Sequence, residues 1–289
     1  MIPFEFSEPT SLREAIAQLG EGDASVRPFA GGTALMLLMK AGVFQPSRLV
    51  SLGKIEDLYS RISFDSDGTL HIGAMTTLST LEYSQELRVA FPIFAQTLRH
   101  LSNIRVRNVA RVGGALAHGD PHMDLPPLLA ALGARAVAIG PAGQREIAID
   151  ELYAGYYRTV LEQSELIAEV VVPKQESRRA AYLKYTTGSA HDWPALGIAV
   201  SIDCDGVEIR KASVVVSAAT EKVTRLSAAQ KVLVGATVND AILRKAGDAA
   251  VDEATLVADA RGSISYKQQL LRVCVGRAVR MALSNGGGT

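Results

Sequence analysis

Residues 111–124 read RVGGALAHGDPHMD. The pair Gly113-Gly114 is followed by His118, Asp120, His122 and Asp124 at alternating positions. Two chemistries compete for this stretch. The four polar residues suggest a metal site, whereas a glycine pair suggests backbone that can lie close to a phosphate. On a strand the alternation sets all four side chains on one face, where they diverge along its length and cannot converge on a tetrahedral ion. Pro121 also disfavours a regular strand. No metal ligand is therefore assigned. The stretch reads as loop with brief extended pieces, and Asp120 and Asp124 are expected to make loop and capping hydrogen bonds. Asp124 directly precedes LPPLLAALGA (125–134), a helix whose Pro126 and Pro127 fit only in its first turn, so it is placed as the N-cap. His118 and His122 are left without a role.

Upstream, FAGGTAL (29–35) repeats the motif in kind. Gly31-Gly32 stands where a strand hands over to a helix, and Thr33 is positioned to cap that helix. Such a turn serves plain structure more often than it serves an anion. Two separated glycine turns, each after an extended approach, suit a pyrophosphate held from two sides. Neither is a Rossmann fingerprint, because G-x-G-x-x-G is absent, and no G-K-[ST] follows to make a P-loop.

The surrounding pattern gives the fold. IPFEF, the capped helix SLREAIAQLG (Ser11 and Glu14 forming the box), VRPF, ALMLLMKAG and RLVSL make a β-α-β unit over residues 1–55. Residues 56–175 begin with a hairpin, YSRISFDSDGTLHIGA, turning at Asp67-Gly68. They continue through the helix FPIFAQTLRHL and close with the extended runs RAVAIG, REIAID and ELIAEVVVP. The polar stretch PKQESRRAAY marks a boundary. Residues 176–285 carry a long hairpin, ALGIAVSID to VEIRKASVVVSAAT, through the turn DCDG. Helices follow at SAAQKVLV, NDAILRKAG and SYKQQLLRVCVGRAVRMAL, the last with arginines opposite its apolar side. The terminal SNGGGT is expected to fray.

Composition excludes several functions. The 289 residues carry 30 Lys+Arg and 30 Asp+Glu, so no global field favours nucleic acid or an anionic membrane. The N-terminus has no basic n-region, and the apolar windows are too short to span a bilayer, which points to the cytoplasm. Cys204 and Cys274 are the only cysteines, too few for a disulfide framework or an iron–sulfur cluster within this chain. Cys204 is expected in the hairpin turn and Trp193 as packing. No nucleophile–base or paired-carboxylate motif is present. No catalytic side chain is assigned, and any reaction would draw its chemistry from a cofactor.

Taken in order, FAGGTAL and NIRVRNVARVGGALAHGDPHMDLPPLLAALGA (103–134) resemble the two flavin loops of the FAD-binding medium subunits of molybdenum hydroxylases, the family that includes xanthine dehydrogenase and carbon monoxide dehydrogenase. The resemblance extends from MIPFEFSEPTSLREAIAQL to the C-terminal SAATEKVTRLSAAQKVLVGA and SYKQQLLRVCVGRAVRMAL, covering nearly the whole chain. It implies an α+β protein: a two-lobed PCMH-type FAD-binding fold followed by a smaller α+β C-terminal domain with a three-stranded sheet and helices. In such proteins the loop matching Ala30, Gly31, Gly32, Thr33, Ala34 and Leu35 cradles the FAD diphosphate. The loop matching Arg111, Val112, Gly113, Gly114 and Ala115 approaches it from the other lobe. By position, Asp124 would bind the ribose or adenine end, Leu101 or Ile104 would pack near the cofactor, Leu166 or Ile167 would lie by the adenine or flavin, and Lys184 would stand near the isoalloxazine. The family's first loop often reads with Asp or as Gly-His-Ser where this chain has Thr33-Ala34, and its second usually ends in Asn where this chain has Ala115. Backbone contacts survive both changes, but an Asn side-chain hydrogen bond is lost.

The resemblance further implies partners: a large molybdopterin subunit and a small [2Fe-2S] subunit, as a dimer of heterotrimers. In that assembly this chain takes electrons from the clusters and passes them to an external acceptor. Two alternatives are a free-standing flavin oxidase of the same fold and a cofactor-free binding subunit, the latter motivated by the alanines.

Overall fold

The computed structural model describes residues 2–20, 23–205 and 207–285. The first unit is a three-stranded parallel sheet built from β1 (Glu5–Ser7), β2 (Val26–Phe29) and β3 (Arg48–Ser51), in the order β1-β3-β2. Helix α1 (Leu12–Leu19) connects the first two strands and α2 (Leu35–Lys40) the next two. Ser11 caps α1 as expected, its Oγ accepting the Glu14 N–H at 3.1 Å, while the Glu14 carboxylate reaches back one residue further than the box requires and accepts the Thr10 N–H at 2.9 Å. Leu12, Ala15, Ile16 and Leu19, spaced for one helical face, are buried against Val26 and Val50.

The second unit begins with the predicted hairpin, β4 (Ile62–Phe64) and β5 (Leu70–Gly73). A run of short helices follows: α3 (Leu78–Tyr83), α4 (Gln85–Ala90), α5 (Pro92–Leu98), α6 (Ile104–Val109), α7 (Val112–Ala117) and α8 (Leu125–Ala131). Then come β6 (Arg135–Gly140), β7 (Gly143–Ala148), the small hairpin β8 (Tyr153–Gly155) and β9 (Arg158–Thr159), and β10 (Leu166–Val172). The sheet is antiparallel in the order β4-β5-β10-β6-β7, so the last strand in sequence is central. Every residue of α8 is buried.

The third unit is an antiparallel sheet of three long strands, β11 (Arg179–Tyr185), β12 (Leu196–Asp205) and β13 (Glu208–Ser217), extended by the two-residue β14 (Thr224–Arg225). Helices α9 (Ser227–Leu233), α10 (Asp240–Glu253) and α11 (Ile264–Ser284) complete it. Strand β12 is buried on both faces. Ile198, Val200 and Ile202 pack with α10 and α11, while Ala199 joins the core of the second unit together with Tyr182 and Val215. That explains its unbroken apolar run.

Several expectations are corrected. The stretch after Ala110 is helix α7 rather than loop. Val112, Ala115 and Leu116 are buried, and the Val112 and Gly113 N–H groups reach Thr76 O (3.0 Å) and Ala74 O (2.8 Å), so tertiary contacts override the poor helix propensity of the glycines. Thr33 does not cap α2, whose first turn starts after Ala34 without a side-chain cap. Asp124 has helical backbone angles and no capping bond, because its carboxylate turns into the core. Cys204 lies in strand β12, paired with Ile209, rather than in a turn. Trp193 is 46% exposed and stacks on polar groups instead of filling the core. At the C-terminus Asn285 donates to Ala180 O at 3.2 Å, so the tail is still held there. Residues 286–289 of the expected frayed end, and Gly206 of DCDG, lie outside the described residues.

Candidate functional site

The two glycine loops meet. Strand β2 ends at Phe29, and the chain turns through Ala30 to Ala34 before α2. A Cβ on Gly31 would stand 2.1 Å from Val109 O, so the first loop lies directly on the end of α6. Gly32 has φ +66°, which strongly favours glycine, and it packs on the Phe29 ring. Across the gap, a Cβ on Gly114 would have Ala30 Cβ, at 4.0 Å, as its nearest neighbour. Gly114 is exposed and projects into the space between the loops.

Both loops carry unused backbone donors. Among the described residues, the N–H groups of Gly31, Gly32, Thr33, Ala34 and Leu35 donate to no protein acceptor, and neither does that of Gly114. The flanking groups are satisfied: Met36 N–H reaches Gly32 O at 2.9 Å and Ala115 N–H reaches Arg111 O at 2.9 Å. Free N–H groups on successive residues beside a glycine turn suit an anion. Arg111 opens the second loop; its Nη1 donates to Met75 O at 2.9 Å, while its buried Nε has no partner among the described residues. The site fits a diphosphate.

The other expected residues fall into two places. Leu166 is buried in the same cluster against which Ala30 packs, behind the first loop, and Ile167 faces the core of the second unit with Leu101. Ile104 opens α6 and is exposed. Asp124 and Lys184 are in direct contact, Nζ to Oδ2 at 2.9 Å, and Lys184 also donates to His100 O at 3.1 Å, next to Leu101. Tyr182 donates to Asp124 Oδ1 at 2.6 Å. Burial pushes the Asp124 carboxyl up despite Lys184 and Tyr182. A pair in contact cannot mark opposite ends of an extended dinucleotide, so the separate expectations for Asp124 and Lys184 are incompatible.

Sequence reasoning missed a second polar cluster. His122 is clamped between two carboxylates, Nδ1 to Asp120 Oδ1 at 2.8 Å and Nε2 to Asp259 Oδ2 at 3.1 Å. Asp259 also pairs with the fully buried Lys267 at 2.9 Å, and Tyr157 donates to Asp120 Oδ2 at 3.2 Å. Burial pushes the Asp259 carboxyl up, but the hydrogen bonds from His122 and Lys267 outweigh it and hold it down to about 2. Asp120 is likewise lowered, with the side-chain and backbone bonds of His122 overcoming burial. Trp193 stacks on His122 (5.7 Å, 17°) and lies under Arg261 (5.2 Å). A cavity of about 250 Å³ opens beside His122, Tyr156 and Asp259. The alternation of His and Asp was the available signal, but its partners Asp259 and Lys267 are remote in sequence.

The fold brings two glycine loops together, and both carry backbone N–H groups that no protein acceptor among the described residues uses. A family profile described as the FAD binding domain in molybdopterin dehydrogenase matches residues 2–175, and one described as the CO dehydrogenase flavoprotein C-terminal domain matches residues 181–282. The chain belongs to this family, the FAD-binding medium subunits of molybdenum hydroxylases, and is an oxidoreductase subunit. It is 32% identical over 287 residues to the carbon monoxide dehydrogenase medium chain of Hydrogenophaga pseudoflava, covering 98% of each chain. Its fold superposes on carbon monoxide dehydrogenase from the same organism, solved without the Mo-pyranopterin moiety, with a TM-score of 0.94, 31% identity and 99% of each chain covered. Quinoline 2-oxidoreductase from Pseudomonas putida 86 matches at a TM-score of 0.91 and 27% identity, covering 99% of this chain and 98% of that one.

Proposed function

We propose that the chain holds FAD with its diphosphate between the Ala30–Leu35 and Arg111–Ala115 loops and serves as the electron-transfer subunit of a molybdenum hydroxylase. The observation that carries the reading is that the loops meet at Ala30 and Gly114 and that the N–H groups of residues 31–35 and of Gly114 donate to no protein acceptor among the described residues. FAD, when bound, supplies the redox chemistry, taking electrons from partner clusters and giving them to an external acceptor. This chain's residues bind and orient. The first loop and Gly114 donate to the phosphates, and Leu166 backs the first loop. Asp124, Lys184 and Leu101 sit together at one end of the cofactor, with Ile104 and Ile167 nearby.

The partners in this reading are a large molybdopterin subunit and a small [2Fe-2S] subunit, assembled as a dimer of heterotrimers in the cytoplasm. Support comes from the medium-chain relatives; in addition, no helix among the described residues is long and apolar enough to cross a membrane. We divide the chain into residues 1–55, 56–175 and 176–285, a division supported by the 3-, 5- and 4-stranded sheets each falling within one part. The test is purification of the native complex and of the chain alone. Stoichiometric FAD that bleaches on reduction supports the reading, whereas a folded, colourless chain that ignores added FAD overturns it.

A further inference from the structure

The Asp124–Lys184 pair depends on a third side chain. The Lys184 ammonium has three N–H donors and gives two to protein acceptors, Asp124 Oδ2 at 2.9 Å and His100 O at 3.1 Å. Both side chains are more than nine-tenths buried, 8% exposed for Lys184 and 6% for Asp124. Such a pair is held by charge on both partners. Burial works against it by pushing the Asp124 carboxyl up, opposed by Lys184, by Tyr182 and, more weakly, by His100. Among these Tyr182 is the uncharged donor. Its hydroxyl, 2.6 Å away, is the only donor to Asp124 Oδ1 among the described residues.

The third sheet is built to deliver that hydroxyl. Tyr182 and Lys184 lie two apart on β11, so both project from one side of the sheet. On that side Tyr182, Ala199 and Val215 join the core of the second unit. Gly197 stands opposite Lys184 on β12, and Ser217 stands opposite Gly197 on β13. A Cβ on Gly197 would stand 2.6 Å from the Tyr182 hydroxyl and 2.5 Å from Ser217 Oγ. The missing side chain therefore lets the phenol lie across β12 and reach Asp124, at the start of α8. The hydrogen bond crosses from the third unit to the second, and it acts on Lys184 only through the carboxylate that both residues share.

We propose that Tyr182 is a positioning residue for the cofactor: its hydroxyl keeps Asp124 as the carboxylate that fixes the Lys184 ammonium, and so sets the charge that the flavin meets. This rests on the reading that FAD binds with one end at Asp124 and Lys184. The first measurement needs no flavin. Infrared titration of the flavin-free full chain follows the protonated-carboxyl band that is lost in Asp124→Asn. In Tyr182→Phe its midpoint should move up by about one to two pH units, the worth of a hydrogen bond to a charged group. With 3-fluorotyrosine in place of Tyr182, a more acidic phenol and stronger donor, it should move down. The second measurement is the midpoint potential of FAD bound to the full chain. Between the two carboxyl midpoints Tyr182→Phe should show the higher potential, because a neutral Asp124 leaves the Lys184 charge unbalanced. Above and below that window the two potentials should converge, a profile that mere loosening of the fold would not produce. An unchanged carboxyl midpoint in Tyr182→Phe overturns the proposal; should that variant fail to fold, an unchanged midpoint in the fluorotyrosine chain overturns it. A shifted midpoint with a potential that tracks wild type at every pH overturns the link from Tyr182 to the cofactor. A wild-type chain that binds no FAD overturns the underlying reading, a failure told apart from the others because the infrared shift persists.

Discussion

A Cβ on Gly113 would stand 2.7 Å from Ala74 Cβ, whereas one on Gly114 would meet nothing closer than 4.0 Å. The two neighbours therefore respond differently to substitution. Gly113→Ala forces α7 off β5 and should destabilise the fold by about 1–3 kcal/mol, as overpacking does, read from urea midpoints. Gly114→Asp should leave the midpoint nearly unchanged and abolish FAD retention, because a carboxylate then faces the diphosphate; the ratio of flavin to protein absorbance checks it. Asp259→Asn removes the counter-ion of the fully buried Lys267 and should cost about 3–5 kcal/mol, with the double variant Asp259→Asn/Lys267→Met recovering part of the loss. Of these residues only the glycines were legible in sequence. His122 and Asp259 are 137 residues apart, and their pairing is a property of the folded neighbourhood.

Secondary elements whose own residues decide them were read correctly. The Ser11 N-cap, the Asp67-Gly68 turn and the Pro126-Pro127 helix start all encode their geometry locally. Helix α7 was missed because its glycines disfavour a helix and its stability comes from Thr76, Ala74 and a buried apolar face. Helices α10 and α11 show the same dependence on a neighbour. A Cβ on Gly247 would stand 2.1 Å from Arg272 O, so the helices touch backbone to backbone there. Gly247→Ala must push them apart, and a loss of at least about 2 kcal/mol is expected in thermal unfolding, despite alanine's better helix propensity.

At the scale of the molecule, the Asp120–His122–Asp259–Lys267 chain ties the loop before α8 to the segment before α11. The sign of its pH dependence follows from the depressed Asp259 carboxyl. Its contribution is complete above the unfolded carboxylate value near ~3.9 and is lost as pH falls from there through about 2. Asp124 acts oppositely: its raised carboxyl makes folding less favourable as pH rises through its folded value. Urea midpoints for wild type should therefore drop between pH 4 and pH 2 more steeply than those of Asp259→Asn.

Strand β12 gives one side of its sheet to helices α10 and α11 and lends Ala199 to the core around α8. The core around α8 is completed by Tyr182, Ala199, Val215 and Val223 of the third unit. A gene fragment stopping after residue 175 would expose α8, whose residues are all buried in the whole chain, and should yield inclusion bodies rather than a small yellow protein. Calorimetry of the intact chain should show one melting event. Inheritance would then treat the pair as indivisible, so that exchange of parts between such complexes must move the entire subunit.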